Sequence, residues 1–307
     1  MDNTKSAFIA IIGRPNVGKS SIINALVSQK VAIVSDKPQT TRTRIMGVLT
    51  RRENQFVFVD TPGFHKPRNM LGENMIKAVG NGLSDVNAAL LVVEAAPRFK
   101  FDKDNLPAAE IELINEIKRR KLKAILIINK IDLLQDKEEL FEIITTYNSL
   151  YDFDSIIPVS AAKGDGIEII IDECSAYLEE SPHYFDSEDT TDQSEKTMVA
   201  EIIREKLLRM LDKEIPHGIA VDIERFFERD TASGEPILEL EATIYCEKDS
   251  HKGIIIGKGG DMLKKIGVSA RRDIEKFFGI RASVKLWVKV KEDWRNRQGL
   301  IHTFGLD

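Results

Sequence analysis

The sequence predicts an α/β domain, with helices on both faces of a mostly parallel sheet, followed by a smaller α+β domain. The first half of the chain alternates short, almost wholly apolar segments with helical ones. This pattern is typical of parallel sheets that are buried on both faces. After about residue 197 the order changes, and strand segments follow one another directly. The length of 307 residues also fits two domains.

The elements of the first half follow from this alternation. The predicted strands are Ala7–Ile12, Gln55–Asp60, Ala88–Val93, Ala124–Asn129 and Ser155–Val159. The predicted helices include Ser20–Val27, Ala109–Arg120 and Lys137–Leu150, and a last helix runs from about Gly166 to Glu179. Ligands of such sheets bind at the carboxyl ends of the strands, so we expect functional motifs there.

A polar and acidic stretch follows the first half. Residues 181–197 contain Pro182 and the run Ser-Glu-Asp-Thr-Thr-Asp, which we interpret as an interdomain linker. This gives a first domain of 1–180 and a second of 198–307. The elements predicted for the second domain are a helix Met198–Leu211, strands Ile219–Arg229 and Ile237–Glu247, a glycine turn at 257–260, a helix Asp261–Phe278 and a strand Ala282–Lys291.

The first predicted strand leads into Gly-Arg-Pro-Asn-Val-Gly-Lys-Ser, residues 13–20, the pattern of a phosphate-binding loop. Backbone N–H groups of such a loop surround phosphate oxygens, and the helix that begins near Lys19 directs its positive end at the same anion. Lys19 can reach the outer phosphates, and the Ser20 hydroxyl can bind Mg²⁺. The nucleotide-binding residues predicted here are Gly13, Arg14, Pro15, Asn16, Val17, Gly18, Lys19, Ser20 and Ser21.

The sequence Asp60-Thr61-Pro62-Gly63 ends the second predicted strand. The Asp60 carboxylate can hold the Mg²⁺ shell through water. The N–H of Gly63 can sense the γ-phosphate, so the loop that follows would respond to hydrolysis. All four residues are predicted to line the nucleotide site.

Two further motifs at strand ends predict the base. The aspartate of Asn-Lys-Ile-Asp accepts hydrogen bonds from N1–H and the exocyclic amine of guanine, whereas adenine offers neither donor. The asparagine and lysine would brace the loops and cover the ring, and in Ser-Ala-Ala-Lys the backbone N–H of Ala161 can meet the guanine O6. The residues concerned are Asn129, Lys130, Asp132, Ser160, Ala161 and Ala162. Since four motifs occur in the required order, each after an apolar segment, the sequence predicts a site for GTP and GDP.

Hydrolysis requires further groups near the γ-phosphate. We favour Thr41 as the hydroxyl that completes the Mg²⁺ shell, with Thr40 as the alternative. Phe64 stands where many GTPases have a glutamine that orients the attacking water, so we expect slow intrinsic hydrolysis. Asn16 is a candidate ligand for a monovalent cation, K⁺, that would supply positive charge at the phosphates; a plain turn residue is the alternative. The predicted catalytic residues are Asn16, Lys19, Thr41 and Gly63, and the predicted Mg²⁺ ligands are Ser20, Thr41 and Asp60.

The carboxyl-terminal part is basic although the whole chain is acidic. The formal net charge is −5, whereas residues 251–307 carry 13 Lys and Arg against 6 Asp and Glu. This asymmetry favours binding of a polyanion such as RNA by the carboxyl-terminal part; an ordinary charged surface is the alternative. A glycine turn before a helix can hold nucleic-acid phosphates, and the apolar residues before it can hold unstacked bases. The predicted RNA-binding residues are Ile254, Ile255, Ile256, Gly257, Lys258, Gly259, Gly260, Lys264, Lys265, Arg271 and Arg272.

Other features narrow the class of protein. Cys174 and Cys246 lie far apart and fit reduced packing residues. Neither a signal peptide nor a run of about 18 apolar residues is seen, so we expect a cytoplasmic protein. Two alternatives are weighed against a GTP-hydrolysing switch. A metabolic phosphotransferase would need a base near the γ-phosphate, and none is found; an RNA-binding assembly factor with little GTP turnover of its own is disfavoured by the intact nucleotide motifs.

Together these motifs resemble the bacterial Era GTPases, a resemblance that covers essentially all 307 residues. Beyond the nucleotide motifs it rests on Thr61–Pro67, Leu71–Met75, Met198–Lys206, His251–Gly260, Leu286–Val290 and Trp294-Arg295. The acidic stretch before Met198 departs from the family pattern.

The resemblance implies a GTP-dependent switch with a KH domain that binds the 3′ end of small-subunit (16S) ribosomal RNA and assists assembly of the 30S subunit. It also implies peripheral association with the inner face of the cell membrane. Related GTPases that combine the asparagine of position 16 with a hydrophobic residue in place of the glutamine support the K⁺ role. The oligomeric state is open, and a monomer is the expectation.

Overall fold

The computed structural model describes residues 4–37, 40–63, 69–83, 85–95, 106–212 and 215–306. Phe64 and the other residues of 64–68, which carry part of the family resemblance, lie outside the described residues. The described chain divides into two compact units. The first consists of residues up to 34, 41–63 and 75–192, and the second of 35–37, 40, 69–74 and 193–306.

The first unit is built on a single sheet in the order β2-β3-β1-β4-β5-β6. Its strands are β1 (Lys5–Ile12), β2 (Ile45–Arg51), β3 (Asn54–Asp60), β4 (Ala88–Glu94), β5 (Lys123–Asn129), β6 (Ser155–Val159) and β7 (Glu179–Glu180). Neighbouring strands are parallel, except that β2 pairs antiparallel with β3, and β7 pairs antiparallel with the start of β1. The five predicted strands are confirmed.

Helices cover both faces of this sheet, as predicted. The helices of this part of the chain are α1 (Lys19–Leu26), α2 (Met70–Gly82), α3 (Ala108–Arg120), α4 (Lys137–Asn148) and α5 (Ile167–Cys174). Of α2, the residues from Met75 onwards belong to the first unit. Successive residues of a strand point to opposite faces. In β1, Ile9 and Ile11 therefore pack in the core beneath α1 and α5, whereas Ala10 and Ile12 pack in the core beneath α3 and α4. The predicted helix from Gly166 to Glu179 is shorter than expected, because a 3₁₀ turn replaces it after Cys174.

The predicted linker 181–197 differs in the structure. Residues 181–192, which we call the strap, pack along the first unit. The side chain of Gln55 is fully buried; its Oε1 accepts from the backbone N–H of Tyr184 at 2.8 Å, and its Nε2 donates to the carbonyl of Phe185 at 2.9 Å. Farther along, the N–H of Val48 donates to Thr190 O at 2.9 Å. Backbone groups of the strap therefore hydrogen-bond to strands β2 and β3, and the side chain of Asp192 adds one bond, because its Oδ1 accepts from the N–H of Met46 at 2.9 Å.

The second unit has a three-stranded sheet in the order β10-β9-β8. Its main elements are α6 (Glu195–Met210), β8 (Ala220–Asp230), β9 (Pro236–Cys246), α7 (Asp249–Ile256), α8 (Asp261–Phe278), β10 (Arg281–Val290) and α9 (Gln298–Thr303). β9 pairs antiparallel with β8 and parallel with β10. Apolar residues of α6, α7 and α8 form its core on one face of the sheet. The sequence analysis missed α7. Because of this helix, the glycine turn joins two helices, α7 and α8.

Candidate functional site

The phosphate loop leaves β1 at Gly13 and enters α1 at Lys19. Gly18 has a left-handed φ of 100°, and a Cβ atom there would lie 2.2 Å from Nδ2 of Asn129. Asn16 is also left-handed, with φ 67°, a conformation that asparagine tolerates better than most residues. The turn role of Asn16 is therefore evident from the backbone. The backbone of the loop is shaped so that its N–H groups can converge on an anion.

Lys19 is buried directly beneath this loop. Only 6% of the residue is exposed, and its Nζ donates to the carbonyl oxygens of Gly13 at 3.1 Å and Arg14 at 3.2 Å. Burial lowers the pKa of Lys19, and the nearby Asp60 carboxylate opposes that effect. A buried cation that donates to two carbonyl oxygens of the loop is well placed to neutralise a phosphate oxygen.

Three oxygen-bearing side chains meet beside Lys19. Ser20 Oγ and Thr41 Oγ1 lie 3.0 Å apart, and each lies 3.2 Å from Asp60 Oδ2. Asp60 is fully buried, and its second oxygen, Oδ1, has no hydrogen-bond partner in the described part of the chain. Burial raises the pKa of Asp60 to about 6, although Lys19 and both hydroxyls act in the opposite direction.

This arrangement fits a magnesium ion. Hydroxyl and carboxylate oxygens are the ligands that Mg²⁺ prefers, and a divalent cation would compensate the buried carboxylate oxygen that lacks a donor. The side chain of Thr40, in contrast, donates to the carbonyl of Lys37 at 2.7 Å. Of the two threonines weighed from the sequence, Thr41 is thus the one whose hydroxyl lies with Ser20 and Asp60. Among the described residues, no group of three or more His, Cys, Asp or Glu side chains forms a separate metal site.

The segment after Asp60 lies against the phosphate loop. Thr61 Oγ1 donates to the carbonyl of Ile11 at 3.1 Å, which fixes the start of the segment to β1. A Cβ atom at Gly63 would lie 2.9 Å from Cα of Pro15. Because position 63 is a glycine, its N–H can approach the phosphate loop, as its predicted role requires. Pro62 lies between Thr61 and Gly63.

The two base-site motifs are held together by hydrogen bonds. Asn129 Nδ2 donates to the carbonyl of Val17 at 2.8 Å, and Asn129 Oδ1 accepts from the backbone N–H of Ala161 at 3.1 Å. Ser160 Oγ donates to Asp132 Oδ1 at 2.6 Å. Asn129 thus connects the phosphate loop with the last motif, and it accepts the Ala161 N–H that the sequence analysis assigned to the guanine O6. Asp132 is exposed at the edge of the sheet and can accept from a base.

Sequence reasoning missed three residues that support the phosphate loop, namely Glu94, Glu110 and Tyr147. Arg14 of the phosphate loop pairs with Glu94, at the end of β4, and with Glu110, on α3. Tyr147, on α4, donates a hydrogen bond to Glu110. The available signal was the position of Glu110 on the face of α3 that also carries the buried Leu113, because a charged residue within an apolar stripe needs a partner.

In the second unit, α8 and β10 enclose a groove of about 660 Å³. Its floor is apolar, with Leu263, Val284 and Leu286, and its helical side carries Lys264 and Arg271. Gly260 lies at one end of the groove, where α8 begins. An apolar floor beside two cations suits bases and phosphates together.

The glycine turn is open to solvent. Gly259 and Gly260 have φ values of 60° and 86°, and a Cβ atom at either position would meet no atom within 4 Å. Lys258 is exposed between them and Gly257. A nucleic-acid backbone can therefore approach this turn closely, and the 18-residue helix α8 directs its positive end towards it.

The structure corrects part of the predicted RNA-binding set. Ile255 is fully buried in the core, so it cannot hold bases, whereas Ile254 is 50% exposed and Ile256 is half-buried; all three end α7. Lys265 and Arg272 are exposed but do not line the groove. Each follows a groove-lining cation by one position, which turns it about 100° around the helix.

Comparison with known proteins identifies the family. The family model described as a 50S ribosome-binding GTPase matches residues 8–130, and the KH domain model matches residues 214–295. GTPase Era of Ruminiclostridium cellulolyticum is 47% identical over 302 residues, which cover 98% of this chain and 97% of the relative. The chain belongs to the Era GTPase family. GTPase Era of Clostridioides difficile is 48% identical over 301 residues, or 98% of each chain.

Solved structures of Era share the fold over its full length. One is Era in complex with MgGDPNP and nucleotides 1506–1542 of 16S ribosomal RNA, with a TM-score of 0.90 and 32% identity over 99% of both chains. A variant of Aquifex aeolicus Era bound to GDP and AlF₄⁻ gives the same values. The predicted fold, a P-loop GTPase domain followed by a KH domain, is confirmed. As an Era-family GTPase, the chain is an enzyme that converts GTP and water to GDP and phosphate.

Proposed function

We propose that this Era-family GTPase is a switch that binds the 3′ end of 16S ribosomal RNA and assists assembly of the 30S subunit. The observation that carries the proposal is the presence, in one chain, of a guanine-nucleotide site and a cationic KH groove. An Era of the same fold was solved with a Mg²⁺-bound GTP analogue and nucleotides 1506–1542 of 16S RNA.

The chain's own residues supply the environment for hydrolysis. Lys19 Nζ uses two of its three donors on the carbonyls of Gly13 and Arg14, so a third N–H is left for a phosphate oxygen, where the cation neutralises charge that develops during transfer. The N–H of Gly63 and the segment around Thr41 would face the γ-phosphate of a bound GTP. Ser20, Thr41 and Asp60 would hold Mg²⁺, which supplies further neutralisation of the phosphate charge.

Asn16 is proposed as a ligand for K⁺ beside the phosphates. Its exposed position in the phosphate loop supports this role, and the cation would supply the charge that an arginine finger provides in other GTPases. The test compares GTP hydrolysis in KCl and NaCl for the wild type and for Asn16→Ala. We expect faster hydrolysis in KCl for the wild type only. Equal rates of the wild type in both salts would remove the cation role.

RNA binding is proposed for the groove and the glycine turn. The variant Lys258→Asp with Gly259→Asp should abolish binding to a single-stranded RNA with the 16S 3′-end sequence while GTP affinity stays unchanged. Reversal of charge at Lys276, an exposed lysine of α8 outside the groove, is a suitable control. RNA affinity that survives the double substitution would make the turn purely structural.

Crosslinking in the GTP and GDP states tests the switch and its target together. The purified protein is crosslinked to total RNA with each nucleotide, and the reads are mapped. We expect reads at the 3′ end of 16S RNA whose yield depends on the nucleotide. An equal yield with both nucleotides would contradict a switch, and reads elsewhere would contradict the target.

The cellular placement rests on the family resemblance. We propose that the protein is a cytoplasmic monomer and that a fraction of the molecules associates with the inner face of the cell membrane. No helix in the described residues combines the length and the apolar character needed to cross a membrane. Light scattering measures the mass against the 34.6 kDa of one chain, and fractionation with a high-salt wash measures membrane association. A dimer mass, or absence from the membrane fraction, would contradict these proposals.

A further inference from the structure

Four charged side chains form a closed group beside the nucleotide site, which we call the loop clamp: Arg14, Glu94, Glu110 and Lys130. They come from four separate places in the chain. Arg14 belongs to the phosphate loop, Glu94 ends β4, Glu110 lies on α3 and Lys130 follows β5 in the base-site motif. Two cations face two carboxylates, so the group is neutral as a whole.

Every carboxylate oxygen of the clamp accepts a hydrogen bond. Arg14 Nε donates to Glu110 Oε1 at 2.8 Å, and Arg14 Nη2 donates to Glu94 Oε2 at 2.9 Å. Lys130 Nζ donates at 2.8 Å both to Glu94 Oε1 and to the carbonyl of Asn16. The Tyr147 hydroxyl donates to Glu110 Oε2. The clamp therefore ties the loop that binds phosphates to the motif that recognises the base.

Glu110 is the deeply buried member. Its side chain is 2% exposed, against 20% for Glu94, 22% for Arg14 and 31% for Lys130. Burial raises the pKa of Glu110, while Tyr147 and Arg14 act to lower it. An apolar residue would pack at this helix position without the cost of desolvating a charge. The contact with Arg14 is what the carboxylate adds.

We propose that Glu110 is a positioning residue, which fixes the phosphate loop through Arg14 and thereby sets how long a guanine nucleotide stays bound. The backbone around Arg14 carries two contacts of the nucleotide site. The carbonyls of Gly13 and Arg14 hold Lys19 Nζ, and Pro15 lies against Gly63. A shift of Arg14 would displace both. The inference rests on the GTP and GDP binding described above.

The rate at which a fluorescent GDP derivative leaves the Mg²⁺-loaded protein measures this role. For Glu110→Gln we expect dissociation about tenfold faster than for the wild type. Glu116→Gln is the matched control, because it makes the same change on the same helix, where Glu116 pairs with Arg119 and Arg120 instead. The control should release GDP at the wild-type rate.

A double substitution separates positioning from helix stability. If Glu110 acts through Arg14, Glu110→Gln should add nothing to the dissociation rate once Arg14→Gln is present. A merely structural contribution of Glu110 would persist in that background. A wild-type rate for Glu110→Gln, or effects that multiply in the double variant, would overturn the inference.

Arg14→Lys keeps the test informative if Glu110→Gln fails to fold. Lysine preserves the charge but lacks the fork that reaches both carboxylates, so release should again be about tenfold faster. A wild-type rate for Arg14→Lys would equally overturn the inference. Failure of the wild type to bind GDP would count against the proposed function itself, so the two failures are distinguishable.

Discussion

Ser20 Oγ lies 3.0 Å from Thr41 Oγ1, and both hydroxyls lie 3.2 Å from the same oxygen of Asp60. The Thr40 hydroxyl, one residue away, instead donates to the carbonyl of Lys37. This difference assigns the threonine role that the sequence left open, and it separates two otherwise similar substitutions.

Thr41→Ala should weaken the apparent affinity for Mg²⁺ in GTP hydrolysis by about 10- to 100-fold, because it removes a hydroxyl from the proposed metal shell. Thr40→Ala is the control, with an unchanged Mg²⁺ requirement. The measurement is the hydrolysis rate over a series of Mg²⁺ concentrations. Equal Mg²⁺ requirements in the two variants would contradict the assignment.

Asp132→Asn should shift base preference from guanine to xanthine. Loss of a hydrogen bond to a charged group costs about 1.5–3 kcal/mol, so affinity for GDP should fall by roughly 10- to 100-fold. Competition with GDP and xanthosine diphosphate measures the change. Asp165→Asn, an exposed residue of the neighbouring loop, is a control that should keep guanine selectivity. Unchanged selectivity of Asp132→Asn would refute its role at the base.

Two charge-matched variants test the face of α8 that binds RNA. Lys264→Ala with Arg271→Ala removes the groove-lining cations, whereas Lys265→Ala with Arg272→Ala removes two cations outside the groove. Each phosphate contact to a single strand adds about 0.7 to the slope of log affinity against log salt concentration. The first variant should therefore lose about 1.4 of that slope, and the second much less. Equal losses would indicate binding by charge alone.

Gln55→Ala should loosen the strap. The side chain is buried and holds both Tyr184 and Phe185, so its removal leaves backbone groups without partners and costs about 1–3 kcal/mol of unfolding free energy. Urea denaturation measures the loss, and chymotrypsin should cut faster beside the two aromatic residues. Gln135→Ala, at an exposed position, is the control. Wild-type stability and cleavage for Gln55→Ala would show that the strap is held elsewhere.

Glu110 also predicts a pH dependence of stability. Burial raises its pKa above the ordinary value of 4.5, so the folded chain binds this proton more tightly than the unfolded chain. The stabilisation that comes from protonated Glu110 is fully present at pH values below the ordinary pKa of 4.5, and it is lost as pH rises through the higher pKa of the folded state. The unfolding free energy of the wild type relative to Glu110→Gln should therefore fall as pH rises above 4.5. A constant difference would contradict the raised pKa.

In the first unit, the strands that the sequence predicted are those whose apolar residues are continuous. The five buried parallel strands have such runs. β2 lacks one because Gly47 interrupts it, and the structure explains the glycine: a Cβ atom there would lie 2.7 Å from Ile23 Cγ1 on α1. α7 was hidden because Gly253 and three successive isoleucines favour a strand over a helix.

In the candidate site, too, residues within local motifs were predicted and a long-range contact was missed. Its motif residues occupy fixed positions after strands, so local sequence was sufficient to place Lys19, Asp60 and Asp132. The contact between Arg14 and Glu110 joins residues 96 positions apart. It depends on where α3 packs on the sheet, which no local pattern encodes.

Calorimetric titration of the purified protein with GTP and with ATP, each with Mg²⁺, tests the central claim most directly. We predict saturable heat for GTP, and for GDP in a parallel titration, with little or none for ATP. The absence of heat with both guanine nucleotides at high protein concentration would contradict the account, and equal binding of ATP would contradict the assigned base site.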